Sequence, residues 1–160
     1  MRVVIDTSAF FYGFRPEGSN EYFTTESVLD EIRGRRMREG IENFINLVTV
    51  MKPSERSISD VMRKAAETGD SYQLSRTDVE LIALALESGA TLLTNDLSVQ
   101  NVCRRIGVEY QSFMGKSIKY DIVWKYRCPA CGRRYDRKME ECPHCGNKLK
   151  RYPVRKKVIV

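Results

Sequence analysis

Apolar positions change their period several times along this chain, and each change predicts a new element. Arg2-Val3-Val4-Ile5 is a short apolar run closed by Asp6, the pattern of a buried strand. A helix can start just after it, at Thr7-Ser8. Over residues 24–33, Val28, Leu29 and Ile32 share one helical face behind a threonine cap, with Gly34 past the end. Ile41, Phe44, Ile45 and Val48 keep helical spacing, and "LVTVM" then turns to strand character before Pro53. Ile58, Val61, Met62, Ala65 and Ala66 fit a period of 3.6 between a Ser54 cap and Gly69. Residues 77–88, "TDVELIALALES", are apolar nearly all round, so this helix should be buried on more than one side. A second buried strand, 91–94, closes with Asn95-Asp96. A helix from about 96 to 106 follows and stops at Gly107, and "VEY" at 108–110 is a last short strand.

Short strands alternating with helices predict an α/β fold, a parallel sheet with helices on both faces. In such sheets, sites form outside the carboxyl ends of the strands. Asp6 and Asp96 each stand where a strand stops, so both should face the same rim.

Composition adds an asymmetry. The chain has 160 residues, enough for one domain and a small appendage, and 42% of them are hydrophobic. No run of about 18 apolar residues occurs, so no membrane span is expected. The first apolar stretch contains Asp6, which argues against a secretory signal and for a cytoplasmic protein. The net charge is +6, but residues 112–160 carry 14 Lys/Arg against 4 Asp/Glu, net +10, while residues 1–111 are net −4. An acidic body with a basic appendage predicts a polyanionic partner, most simply nucleic acid.

The appendage also holds Cys128, Cys131, Cys142 and Cys145, as "CPAC" and "CPHC" ten residues apart, each followed by glycine. The spacing C-x2-C-x10-C-x2-C is a zinc signature: two intervening residues let both thiolates reach one ion. So short a unit cannot build a core, and metal binding supplies its folding energy, about 10 kcal/mol or more. Disulfides do not suit a cytoplasmic chain. Iron would accept the same thiolates. Four thiolates close the coordination shell, so the ion is structural. Cys103, in a helix, reads as a buried core cysteine, and His144, the only histidine, reads as exposed rather than as a ligand. Between the knuckles, Arg133, Arg134, Arg137 and Lys138 surround Tyr135. Guanidinium and ammonium groups neutralise phosphates and a tyrosine face can stack on an unpaired base, which makes these five candidate RNA contacts. A tyrosine packed on the knuckles is the alternative. The organisation expected is a body over 1–111, a connection over 112–124, a zinc ribbon over 125–150 and a basic tail over 151–160.

Singly, Asp6, Asp78 and Asp96 could each cap a helix, and Glu31 could be a surface residue. Together they would crowd one rim with no histidine or lysine to pair them. Carboxylates that close repel unless a cation neutralises them, and oxygen-only ligands select Mg²⁺ or Mn²⁺. Such ions activate water for phosphodiester displacement.

"VVIDTSAFF", "ESVLDEI", "RTDVELIALAL" and "LLTNDLSVQNV" together resemble, in order, the four acidic motifs of PIN-domain nucleases. The resemblance covers about residues 1–111 and implies a PIN-like sheet and a metal-dependent endoribonuclease. It implies Mg²⁺ or Mn²⁺ held by Asp6, Glu31, Asp78 and Asp96, with Ser8 and Thr94 supporting the acids. In the second motif Glu26 and Asp30 compete with Glu31, and the Val-x-x-Glu spacing from Val28 favours Glu31. With its ribbon, the chain resembles the short, archaeal-type Nob (Nin-one-binding) endonucleases. That implies precursor small-subunit ribosomal RNA as substrate, cut at its 3′ end within a pre-ribosomal particle. A toxin-type PIN ribonuclease and a non-catalytic RNA-binding assembly factor are the rivals. The four cysteines count against the first, the full acidic set against the second.

The charge split predicts a steep salt dependence of RNA binding, with a log-log slope of about −0.7 per phosphate contact. Reversing the charges of Arg133, Arg134 and Arg137 should flatten that slope by about 2, measured by titration at several salt concentrations.

Overall fold

The N-terminal apolar run becomes the middle strand of a parallel sheet. The computed structural model describes residues 1–35, 40–69, 71, 73–114 and 120–157. In it β1 (Arg2–Ile5) lies between β2 (Glu21–Thr24) and β4 (Thr91–Leu93). β3 (Val48–Val50) flanks β2, and β5 (Tyr110–Gln111) flanks β4. The order is β3-β2-β1-β4-β5, with every pair parallel. The connections carry α1 (Thr7–Phe11), α2 (Glu26–Arg33), α3 (Ile41–Ile45), α4 (Glu55–Thr68), α5 (Arg76–Ser88) and α6 (Leu97–Ile106).

Strands of three and four residues cannot hold themselves. Packing from α5 against β1 and β4 holds them. Leu81, Ile82, Leu84, Val4, Ile5 and Leu92 are all essentially inaccessible to solvent. Each such side chain contributes roughly 1.5–3 kcal/mol on burial. Seven residues of α5 are buried, which fits its all-round apolar pattern. The caps fall where the sequence puts them: Ser54 accepts from the Ser57 N–H, and Thr25 precedes α2. No helix among the described residues is long and apolar enough to cross a membrane.

Two regions differ from expectation. β2 takes Thr24, so α2 starts two residues late; "EYFT" is too short for alternation to announce it. Downstream, β6 (Tyr120–Arg127), β7 (Arg134–Tyr135) and β8 (Lys150–Lys157) form a separate antiparallel sheet, ordered β7-β6-β8. β6 and β8 pair along their full length, from Tyr120 opposite Lys157 to Arg127 opposite Lys150. The ribbon therefore takes in part of both the expected connection and the expected tail, whose last three residues lie outside the described ones. β8 contains Pro153, and as an edge strand it tolerates proline.

The ribbon touches the body at the end of α4. Gly69 caps that helix with φ +78°. A Cβ at Gly69 would stand 2.8 Å from the Cβ of Trp124 in β6. Glycine is thus required twice, by its left-handed backbone and by the approach of the indole.

Candidate active site and metal centre

The strand order reverses between β1 and β4, and that is where a doubly wound sheet opens a crevice at its carboxyl rim. Asp6 follows β1 and Asp96 follows β4. Asp6, Glu31, Asp78 and Asp96 line a single cleft of about 290 Å³, together with Thr7, Ser8, Tyr12, Arg35 and Asn95. Four distant segments therefore bring the four predicted acids together.

Each acid is held differently. Asp6 Oδ2 accepts from Ser8 Oγ at 3.0 Å and from Thr94 Oγ1 at 2.9 Å. Burial pushes the Asp6 carboxyl above its ordinary value, the two hydroxyls pull it back, and the Asp96 charge pushes it up again. Glu31 accepts from Thr7 Oγ1 at 2.8 Å. Asp96 caps α6, its Oδ1 accepting from the Ser98 and Val99 N–H groups, while its own N–H donates to Thr94 Oγ1. Asp78 forms a reciprocal cap with Ser75, accepting from its N–H and its hydroxyl. Burial first, then the charges of Asp6 and Asp96, push Asp78 up to about 6 against the pull of those bonds.

Asp78 and Asp96 thus each do two things at once: one oxygen serves the helix while the group lines the cleft. The rivals at the second motif lie elsewhere, since Glu26 and Asp30 both pair with Arg33 on an exposed face, at 2.8 and 3.0 Å. Four cleft residues escape the sequence reading, Tyr12 among them. Thr7 reads from the sequence only as a helix start, yet it orients Glu31. Asn95 pins the chain after β5, its Oδ1 accepting from Ser112 Oγ and the Met114 N–H, while its buried Nδ2 has no partner among the described residues. Arg35 places a cation among the acids and lies over the Phe11 ring at 5.3 Å. Its position beyond Gly34, outside any periodic face, gave no signal.

All the acidic donors are oxygens, and the Asp6 and Asp78 carboxyls are raised chiefly by burial, with the neighbouring acids adding to it. Hard divalent cations fit such a set. The cysteines suit a softer ion. Cys128, Cys131, Cys142 and Cys145 bring their sulfurs within 4.8 Å of one another. Cys128–Cys145 is 3.4 Å and Cys131–Cys142 is 3.6 Å. Tetrahedral zinc, with Zn–S of about 2.3 Å, spaces sulfurs by about 3.8 Å. Both knuckles turn alike: the Gly132 and Gly146 N–H groups donate to the Cys128 and Cys142 carbonyls, with φ of 75° and 73°. The Tyr135 hydroxyl lies 3.1 Å from Cys142 Sγ and, by donating to it, helps hold that thiol down to about 6. The tyrosine's polar end is thus committed to the knuckle. Arg133, Arg134, Arg137 and Lys138 are exposed, and Arg134 lies over the Tyr152 ring at 5.8 Å. Cys103 is buried, its thiol pushed up to about 12 by burial, and His144 is exposed.

A family model described as "PIN domain of ribonuclease" matches residues 3–87. Endoribonuclease Nob1 of Pyrococcus abyssi is 35% identical, over 98% of this chain and 97% of its own. Ribonuclease VapC1 of Thermoplasma acidophilum is 32% identical, over the whole chain and 82% of its own. Among solved structures, VapBC2 from Rickettsia felis, bound to a promoter DNA fragment, superposes with a TM-score of 0.53 at 15% identity, over 71% of this chain and 99% of that one. That likeness is one of fold.

Two outcomes are expected. Asp78 favours the folded state while protonated. That contribution is complete below the ordinary carboxylate value near 4 and is lost as pH rises through about 6. Without divalent ions, the melting temperature should therefore fall across that window, and Asp78→Asn should flatten the fall. Mn²⁺ at a hundred times its dissociation constant should restore about 2.7 kcal/mol at pH 7.5 and much less at pH 5. Separately, elemental analysis should find one zinc per chain. Cys128→Ser should lose that zinc and the β6–β8 pairing while leaving Cys103 protected from alkylation.

Proposed function

We infer the substrate from the kinship: the chain belongs to the Nob1 family of PIN-domain endoribonucleases. On this reading it cuts single-stranded precursor ribosomal RNA at the 3′ end of the small-subunit sequence, within the maturing particle. The observation that carries the reading is one cleft lined by four carboxylates from four segments, beside a strongly basic ribbon.

Asp6, Glu31, Asp78 and Asp96 would hold Mg²⁺ or Mn²⁺, which supplies positive charge for the phosphodiester and lowers the pKa of water. The chain's own groups do the positioning. Ser8 and Thr94 fix the Asp6 carboxylate by bonding one of its oxygens. Thr7 does the same for Glu31. Arg35, at the cleft edge, is suited to a non-bridging phosphate oxygen. In the ribbon, zinc holds the scaffold, and Arg133, Arg134, Arg137 and Lys138 neutralise RNA phosphates. Tyr135, tied to Cys142, serves mainly as part of that scaffold. The likeness to ribonuclease VapC1 supports a second reading, a toxin-type ribonuclease with a different RNA target.

A divalent-dependent cleavage assay separates the two readings: an RNA spanning the small-subunit 3′ end against unrelated single strands. Preferential cutting of the first supports maturation, and equal cutting of all supports the toxin-type reading. Asp6→Asn and Asp96→Asn should abolish cleavage while leaving folding and RNA affinity intact. Thr94→Ala should slow it about 10–100-fold, as is usual for groups behind a metal ligand.

A further inference from the structure

One side chain between α4 and α5 touches both halves of the molecule. With its amide oxygen turned towards the guanidinium, Gln73 accepts from Arg151 Nη1 at 3.1 Å and also from Nη2. In that orientation its nitrogen donates to Ser98 Oγ at 2.7 Å. Arg151 belongs to β8, and its guanidinium lies 3.7 Å from the centre of the Trp124 ring. Trp124 in turn abuts Gly69. On the other side, the Ser98 N–H donates to Asp96 Oδ1 at 2.7 Å. A continuous set of contacts thus joins the ribbon to the first turn of α6, the turn that presents Asp96.

The amide gives Arg151 an acceptor and Ser98 a donor. Gln73 also borders a cavity of about 610 Å³ whose other walls come from the ribbon, among them Lys138, Lys148 and Arg151. The cationic surface therefore extends to Gln73, which reaches Asp96 through Ser98.

We propose that Gln73 is a positioning residue of the nuclease: it holds the ribbon at a fixed place relative to the cleft, so that a gripped RNA strand is cut at one phosphodiester. The proposal rests on reading the cleft as a ribonuclease site and the ribbon as its RNA grip. A ribbon tethered only through the chain would present many neighbouring bonds to the cleft, because a flexible connection fixes local concentration but not register. The Gln73 bridge removes that freedom.

The test uses the full, zinc-loaded chain with Gln73→Ala and Gln73→Glu. The glutamate accepts from Arg151 and from the Ser98 hydroxyl, so it keeps the bridge. Trp124 is the only tryptophan, and its quenching by acrylamide reports docking without any need for activity. Gln73→Ala should raise the quenching constant, and Gln73→Glu should return it to the parent value. On an end-labelled single-stranded RNA, Gln73→Ala should spread the cuts over adjacent phosphodiesters at unchanged RNA affinity, and Gln73→Glu should restore the single cut. Parental quenching and a parental cut pattern in Gln73→Ala overturn the proposal, as does loose cutting by Gln73→Glu. A parent chain that cuts no RNA removes the ribonuclease reading and this role with it. Trp124 quenching would still report whether Gln73 holds the ribbon, which keeps the two failures apart.

Discussion

The hydrogen bond from Thr94 to Asp6 spans 88 positions of sequence and can exist only if β1 and β4 lie side by side in one register. Ile5 faces Leu93 in that register, so the next residues on each strand, Asp6 and Thr94, meet at the rim. A slip of one residue in β4 would turn its side chains to the opposite faces. Asp6 would lose the Thr94 hydroxyl, one of the two that offset its burial. The register is in turn fixed by Leu92 and by the α5 side chains packed over both strands. The chemistry at the rim thus depends on apolar packing beneath it.

Sequence patterning reads well where a period is long. α4, α5 and α6 run for ten residues or more; the caps and glycine stops of α4 and α6 agree with the pattern, while α5 starts at Arg76 behind a Ser75 cap that the pattern does not mark. It reads poorly where an element is shorter than its own period needs. β2 has four residues and runs straight into the cap of α2. β6 and β8 mix charged, aromatic and branched residues, so neither face announces itself until the partner strand is known. The same logic governs the cleft. Asp6 and Asp96 stand at visible strand ends. Glu31 was legible only through resemblance, because a single carboxylate on a helix is ordinary; its neighbours Glu26 and Asp30 turn out to pair with Arg33. Arg35 and Thr7 belong to the cleft through tertiary placement alone, and no pattern in the chain could have named them.

The two candidate metal centres are built on opposite principles. The cysteine cluster draws on four sulfurs within one short segment, and a local turn shapes each of its knuckles. It can form with little help from the rest of the fold. The acidic cleft draws on groups from residue 6 to residue 96, whose charges oppose one another. It exists only after the whole sheet is assembled. One centre creates its structure, and the other depends on a structure already made.

The order of charge along the chain matters while the protein is being made. The acidic body, net −4, leaves the ribosome first, and the +10 ribbon emerges last. Synthesis at about 5–20 residues per second makes that delay a matter of seconds. During those seconds the finished rim is repelled by the RNA-rich surface beside it. The acidic cleft is thus complete before the basic ribbon exists, and the contacts of Trp124 with Gly69 and of Arg151 with Gln73 can form only once β6 and β8 are out.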